Sequence, residues 1–349
     1  MENTLLESVI EYAIQKSASD IHLCTDQQPT LRISGTLSAI TDSKPITGSQ
    51  VLEMIESIMS EKQKAAYKKD LEIDFSINTK FDNHRFRVNA FNTVRGPSAT
   101  LRIIPSKIIS LADIHAPLAL SKLCKSPQGL ILLVGPTGSG KSTTLAAMIN
   151  HINDHYRQHI ITIEDPVEFV YKNNLSLINQ REVGTSTNSF AIALKSALRE
   201  DPDVIMVGEM RDLETIRLAL TAAETGHLVF ATLHTNSASK SINRIIDVFP
   251  PAEKNFVRSL LASSIKAIIS QRLVEKVGGG RAPVYEVMIV NSAIRNLILE
   301  DKIPQISSMI EISKNQGMVT IKDSILDLFE KKIISQETFE RLMLIYSSK

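Results

Sequence analysis

An α/β fold in two domains is what this sequence predicts, and three observations predict it. The chain has 349 residues, room for about two domains at ~150 residues each. From residue 130 onward, short fully apolar runs alternate with amphipathic helical stretches, the pattern of a parallel sheet covered on both faces. Before that, strand-like segments with turn residues alternate with two helical stretches, the pattern of a smaller α+β unit.

The elements follow in order. Leu5, Leu6, Val9, Ile10 and Ala13 recur at helical spacing, and Ser19-Asp20 opens a strand at Ile21-His22-Leu23. Further strands are expected at 30–34, turning at Gly35, and at 72–77, 85–91 and 99–104, with one helix at 50–67 between them. Pro105, Pro117 and Pro127 break the next segment. The boundaries are therefore set at 1–105 for the first domain, 106–123 for a linker and 124–349 for the second. In the second domain the apolar runs are 130–134, 160–163, 204–207 and 228–232, with helices at 142–152, 189–199 and 213–224, the last stopped by Gly226. From Lys254 onward helical periodicity dominates, interrupted by Gly278-Gly279-Gly280 and Pro304, so a helical extension is expected over about 285–349.

Composition narrows the partners. With 39 basic and 38 acidic residues the net charge is +1, and no basic track marks a nucleic-acid surface. Cys24 and Cys124 stand apart, which argues against a disulfide framework or a cysteine-ligated zinc site. The start Met1-Glu2-Asn3-Thr4 lacks the basic and apolar regions of a signal peptide. No stretch reaches the ~20 apolar residues of a membrane span. A cytoplasmic protein is expected.

The motif with the sharpest chemistry is Gly135-Pro136-Thr137-Gly138-Ser139-Gly140-Lys141-Ser142, followed by Thr143. It directly follows an apolar strand and directly precedes a helix, the setting a phosphate-binding loop requires. Its glycines permit close backbone approach, so successive amides can face phosphate oxygens. Lys141 supplies a point charge, the helix start adds its dipole, and the Ser142 hydroxyl is placed for Mg²⁺. ATP and Mg²⁺ are the expected ligands, and hydrolysis the expected reaction.

Hydrolysis also needs groups that orient water and complete the metal shell. The second strand ends in Glu164-Asp165-Pro166-Val167-Glu168 and the third in Gly208-Glu209, beyond the C-terminal strand ends where open parallel sheets bind ligands. Gly208 stands where many phosphate-loop enzymes carry a metal-binding Asp. Glu209 then either holds Mg²⁺ through a water or polarises the attacking water. His227 and His234 bracket the fourth strand at opposite ends, with His234 at the C-terminal one.

Four blocks together, 135–142, 163–168, 201–209 and 226–235, resemble the secretion ATPase superfamily that drives type II secretion and type IV pilus machines, and within it the pilus-retraction, or twitching-motility, ATPases. The likeness extends from Ser19-Asp20-Ile21-His22-Leu23 through 179–184 and 197–203 to Ala293-Ile294-Arg295-Asn296-Leu297-Ile298. The last run is similar to a motif that retraction members carry. This resemblance implies a PAS-like N-terminal domain and a RecA-like ATPase domain. It implies a homohexamer with ATP at the interfaces, peripheral attachment to the inner membrane through a pilus platform protein, and indirect action on pilin. It also assigns Glu168 and Glu209 catalytic roles. Arg85, Arg87, Arg95 and Arg102 become candidates for charge supplied in trans, worth roughly 10³ to 10⁵ in rate. A dedicated secretion motor is the alternative within the superfamily. A non-hydrolysing regulator and a nucleic-acid translocase are the alternatives outside it.

Overall fold

The computed structural model describes residues 5–33, 35–41, 43–78, 85–104 and 108–347. Pro105 and residues 106–107, where the linker is expected to begin, lie outside the described residues. The chain divides into two compact units, Met1–Lys107 and Ile108–Lys349.

The first unit is a six-stranded antiparallel sheet with helices. Its elements are α1 (Leu5–Gln15), β1 (Asp20–Cys24), β2 (Thr30–Ile33), β3 (Thr36–Ala39), α2 (Gly48–Ser57), α3 (Glu61–Asp70), β4 (Glu72–Asn78), β5 (Arg85–Thr93) and β6 (Gly96–Ile104). The strand order is β3-β2-β1-β6-β5-β4. Alternation along β5 buries Phe86, Val88 and Ala90 against Leu6, Ile10, Val51 and Ile55, so one face of the sheet makes the core. The single helix expected at 50–67 is two helices. Ser60 interrupts it, its hydroxyl accepting from the Gln63 amide while Gln63 accepts from the Ser60 amide, a capping box that starts a new helix.

The second unit contains α4 (Leu118–Leu123), β7 (Gly129–Val134), α5 (Lys141–His155), β8 (His159–Glu164), β9 (Leu177–Glu182), α6 (Phe190–Ala197), β10 (Val204–Val207), α7 (Leu213–Glu224), β11 (Leu228–Leu233), α8 (Ala238–Asp247) and α9 (Lys254–Ser264). It ends with β12 (Ile265–Glu275), β13 (Arg281–Ile289), α10 (Ser292–Leu299), α11 (Ile306–Ile312), α12 (Ile321–Glu330) and α13 (Gln336–Ser347). The sheet order is β13-β12-β7-β11-β10-β8-β9, parallel throughout except for the antiparallel β12–β13 pair. Strand β7 is wholly buried. It sends Leu130, Leu132 and Val134 into the core under α6 to α10, and Ile131 and Leu133 into the core under α4 and α5.

Two expectations are corrected. Residues 265–289 form a hairpin, so the helical region begins at α10 rather than near 285, and Gly278-Gly279-Gly280 is the hairpin connection rather than a break between helices. Both strands are buried on both faces, which erases the period of two and leaves apolar spacings that also fit a helix. The segment expected as linker up to residue 123 belongs to the second unit from Ile108 onward: Ala119, Leu120 and Leu123 of α4 are buried beside Ile131 and Ile149.

Candidate functional site

Four neighbouring parallel strands bring the site together. In lateral order β7, β11, β10 and β8, their C-terminal ends carry the phosphate loop, His234, Glu209 and Glu164. Adjacent strands lie about 4.8 Å apart, so residues distant in sequence share one edge of the sheet.

The loop after β7 is shaped from behind by β12. A Cβ on Gly135 would collide with the Gln271 carbonyl oxygen, and one on Gly140 would approach Gln271 Nε2 to 2.8 Å. Gly140, at φ +85°, caps the start of α5 in a left-handed conformation that a side chain disfavours. Gln271 Nε2 donates to the Ser139 carbonyl at 2.9 Å. Lys141 is buried, and its Nζ donates to the carbonyls of Gly135 at 2.8 Å and Pro136 at 3.1 Å. Burial lowers its pKa, against the pull of Glu209 and Glu168. Both carboxylates thus act electrostatically on the lysine. Ser142 and Thr143 occupy the first turn of α5 and are half-buried.

Glu209 sits between two partners. Its Oε2 pairs with Arg211 at 2.7 Å and its Oε1 accepts from His234 Nε2 at 3.1 Å. Burial would raise this carboxyl, but Arg211 and His234 outweigh it and hold the group below its ordinary value. The backbone before Glu209 is pinned on both sides: the Gly208 amide donates to Ile163 O at 2.8 Å, and Thr232 Oγ1 donates to Gly208 O at 2.5 Å. A Cβ on Gly208 would lie 3.2 Å from Ile163 O and 3.4 Å from the Glu164 Cα. A side chain at 208 is therefore tightly placed against β8.

Glu164 is buried, and burial raises its pKa to about 7. It accepts from Thr162 Oγ1 at 2.7 Å and Gln180 Nε2 at 3.1 Å through Oε1, and from the Glu168 amide at 3.4 Å through Oε2. The loop to Glu168 is held from β9: Glu182 Oε2 accepts from the Val167 amide at 2.8 Å, and Gln180 Nε2 donates to Phe169 O at 2.8 Å. Glu168 itself is exposed.

The other expected residues lie elsewhere. His227 is at the opposite end of β11, its Nδ1 3.0 Å from Ala222 O, where it closes the turn after α7. Ala293 to Ile298 lie on α10, which buries Ile294 and Ile298 and ties Arg295 Nε to Ala262 O of α9 at 3.2 Å, leaving Asn296 exposed. The four arginines belong to the first unit. Arg85 opens β5, Arg87 pairs with Asp74, Arg95 stands in the tight β5–β6 turn, and Arg102 pairs with Asp20 at 2.8 Å.

Sequence reasoning missed Arg211, Thr162, Gln180, Thr232 and Gln271. Thr162 had a readable signal, since two residues before Glu164 on a strand puts it on the same face. Gln271 had none, because its strand reads as a helix.

The donor set fits a nucleotide triphosphate with Mg²⁺: a glycine cradle at a helix start, a buried lysine, a hydroxyl at 142 and a carboxylate at 209. Among the described residues no cluster of three or more His, Cys, Asp or Glu could hold a metal alone, and no helix is long and apolar enough to cross a membrane.

Comparisons with known proteins agree. The model of the type II/IV secretion system protein family matches residues 1–340. The twitching motility protein of Neisseria gonorrhoeae is 51% identical over 331 residues, spanning 94% of this chain and 87% of that protein. The type IV pilus retraction ATPase PilT of Pseudomonas aeruginosa is 49% identical, spanning 95% and 96%. The crystal structure of the pilus retraction motor PilT with bound ADP superposes with TM-score 0.89 at 46% identity, covering 97% of this chain and 96% of that one. The chain belongs to the type II/IV secretion system protein family, among its PilT-type ATPases.

Proposed function

We propose that this chain is the ATP-hydrolysing motor that retracts type IV pili. The observation that carries the chemistry is Glu209, held between Arg211 and His234 on the sheet edge that also bears the phosphate loop. The loop amides and Lys141 bind the phosphates. Ser142 and Glu209 are the residues that would hold Mg²⁺, which would neutralise charge on the phosphates. Glu209, fixed by Arg211 and His234, is the carboxylate that orients the attacking water. Glu168, on a loop braced by Glu182 and Gln180, is the second carboxylate whose charge raises the Lys141 pKa.

In this reading the first unit is PAS-like and the second RecA-like. Six copies form a ring in which arginines among Arg85, Arg87, Arg95 and Arg102 complete a neighbour's site. Hydrolysis moves the PAS-like domain against the core, the ring acts on an inner-membrane platform protein from the cytoplasmic side, and pilin returns to the membrane. Identity near one half over nearly the whole of both chains to a retraction ATPase supports it.

The test is a gene deletion complemented with wild type or Glu209→Ala, with surface pili counted by electron microscopy and surface motility tracked. Excess pili and lost motility, rescued only by wild type, are expected. Loss of pili would mean an assembly motor, and unchanged pili and motility a dedicated secretion motor.

A further inference from the structure

The β12–β13 hairpin carries no motif residue, yet two adjacent rungs of it touch both loops of the nucleotide site. In the antiparallel register Ser270 faces Glu286 and Gln271 faces Tyr285. Directly opposed residues project to the same face, and successive rungs to opposite faces. On one face, Gln271 Nε2 donates to Ser139 O in the phosphate loop, and the Tyr285 hydroxyl lies 3.3 Å from Thr144 Oγ1 on α5. On the other, Ser270 Oγ donates to Asn236 O at 3.3 Å, and Glu286 Oε1 accepts from the Ala238 amide at 3.1 Å. Asn236 and Ala238 lie in the stretch that runs from His234 into α8.

We propose that Gln271 and Glu286 are positioning residues for ATP hydrolysis, Gln271 fixing the phosphate loop and Glu286 fixing the segment that carries His234. The inference rests on the ATPase reading above.

Four further observations separate these contacts from ordinary packing. Gln271 is 2% exposed and its Oε1 has no hydrogen-bond partner, so an amide has been kept in a dry position where an apolar side chain would avoid an unsatisfied acceptor. The Gln271 backbone carbonyl closes the space beside Gly135, and its side-chain amide lies against Gly140. Glu286 is placed beneath the α8 N-terminus, where a carboxylate takes up an otherwise unpaired amide. The hairpin is itself anchored from outside the site. The Tyr285 amide donates to Ser324 Oγ of α12 at 3.0 Å, and the Arg272 guanidinium lies over the Tyr346 ring of α13 at 5.6 Å. Rigid support of this kind is what keeps reacting groups in register.

The two residues act on different terms of the kinetics, which provides the test in the full-length chain. Phosphate release gives kcat and KM, and a fluorescent ATP analogue gives binding directly. Gln271→Met keeps length and volume but removes the donor. It is expected to weaken analogue binding about tenfold, the effect of one buried hydrogen bond, with KM rising by a similar factor. Should that variant not fold, Gln271→Asn, one methylene too short to reach Ser139, carries the same expectation. Glu286→Ala is expected to lower kcat about tenfold with analogue binding within about twofold, and to speed amide exchange at Ala238. Glu286→Gln retains an accepting oxygen and restores both. Analogue binding unchanged in the Gln271 variants would overturn the first assignment, and equal behaviour of Glu286→Ala and Glu286→Gln would overturn the second. Absence of phosphate release from wild type would refute the ATPase reading instead, while binding and exchange would still decide the positioning roles.

Discussion

Replacing Glu164 by Gln will stabilise the second unit at alkaline pH and not at acid pH. The folded carboxyl holds its proton up to about pH 7, whereas the ordinary value is 4.5. Folding therefore takes up a proton between those values, and stability falls as pH rises through that window. A shift of about 2.5 units at 1.36 kcal/mol each corresponds to about 3 kcal/mol lost by pH 8.5. Gln carries no charge and avoids this loss. It can still accept from Thr162 Oγ1 and Gln180 Nε2 through its oxygen, but its amino group then faces the Glu168 amide, donor against donor. That mismatch costs about 1 kcal/mol. The net expectation is a gain of about 2 kcal/mol at pH 8.5 that turns into a loss of about 1 kcal/mol at pH 4.5. Urea unfolding followed by circular dichroism from pH 4.5 to 8.5 measures it, using the transition that moves with added ATP to identify the second unit. A difference between variant and wild type that does not change with pH would refute the reasoning.

Three other outcomes are expected. Lys141→Ala abolishes ATP binding and phosphate release, measured with a fluorescent analogue and a phosphate assay, because it removes the buried cation of the phosphate loop. His234→Ala lowers kcat by about tenfold through loss of one charge-assisted bond to Glu209, whereas His227→Ala costs about 1 kcal/mol of stability and leaves kcat within about twofold; steady-state kinetics with thermal melts separate them. Gly208→Asp, which would give this chain the residue common in other phosphate-loop enzymes, destabilises it by about 1–3 kcal/mol because the new side chain crowds Ile163 O and the Glu164 backbone. A thermal melt at or above wild type would contradict that.

The parallel core was legible because its strands are the most apolar short runs in the chain, and because a phosphate loop fixes which strand precedes which helix. Glu164, Glu209 and His234 were legible for the same reason: each stands within two residues of the end of such a run. What stayed hidden lacked contrast. Strand β9 carries Asn179, Gln180, Arg181 and Glu182, so it reads as a polar loop, although pairing with β8 makes it the brace of the Glu168 loop. The short β3 is exposed along its length and offers no alternation. Ser60 and Gln63 did carry a helix-start signal, and heeding it would have split the helix at 50–67.

The β12–β13 hairpin was hidden for a different reason, and that reason bears on how the site works. Burial on both faces makes Ile265 to Val274 and Ala282 to Ile289 look like helix faces, and leaves Ser270, Gln271 and Glu286 as scattered polar interruptions. In a strand buried on both sides, each such interruption carries a desolvation cost that a bond must offset. Here the bonds run to Ser139 in the phosphate loop and to Asn236 and Ala238, where the segment after His234 enters α8. The polar residues that spoil the strand pattern are therefore the ones that tie the sheet to the chemistry, and polar breaks in the buried strands of a phosphate-loop enzyme are where positioning residues should be sought first.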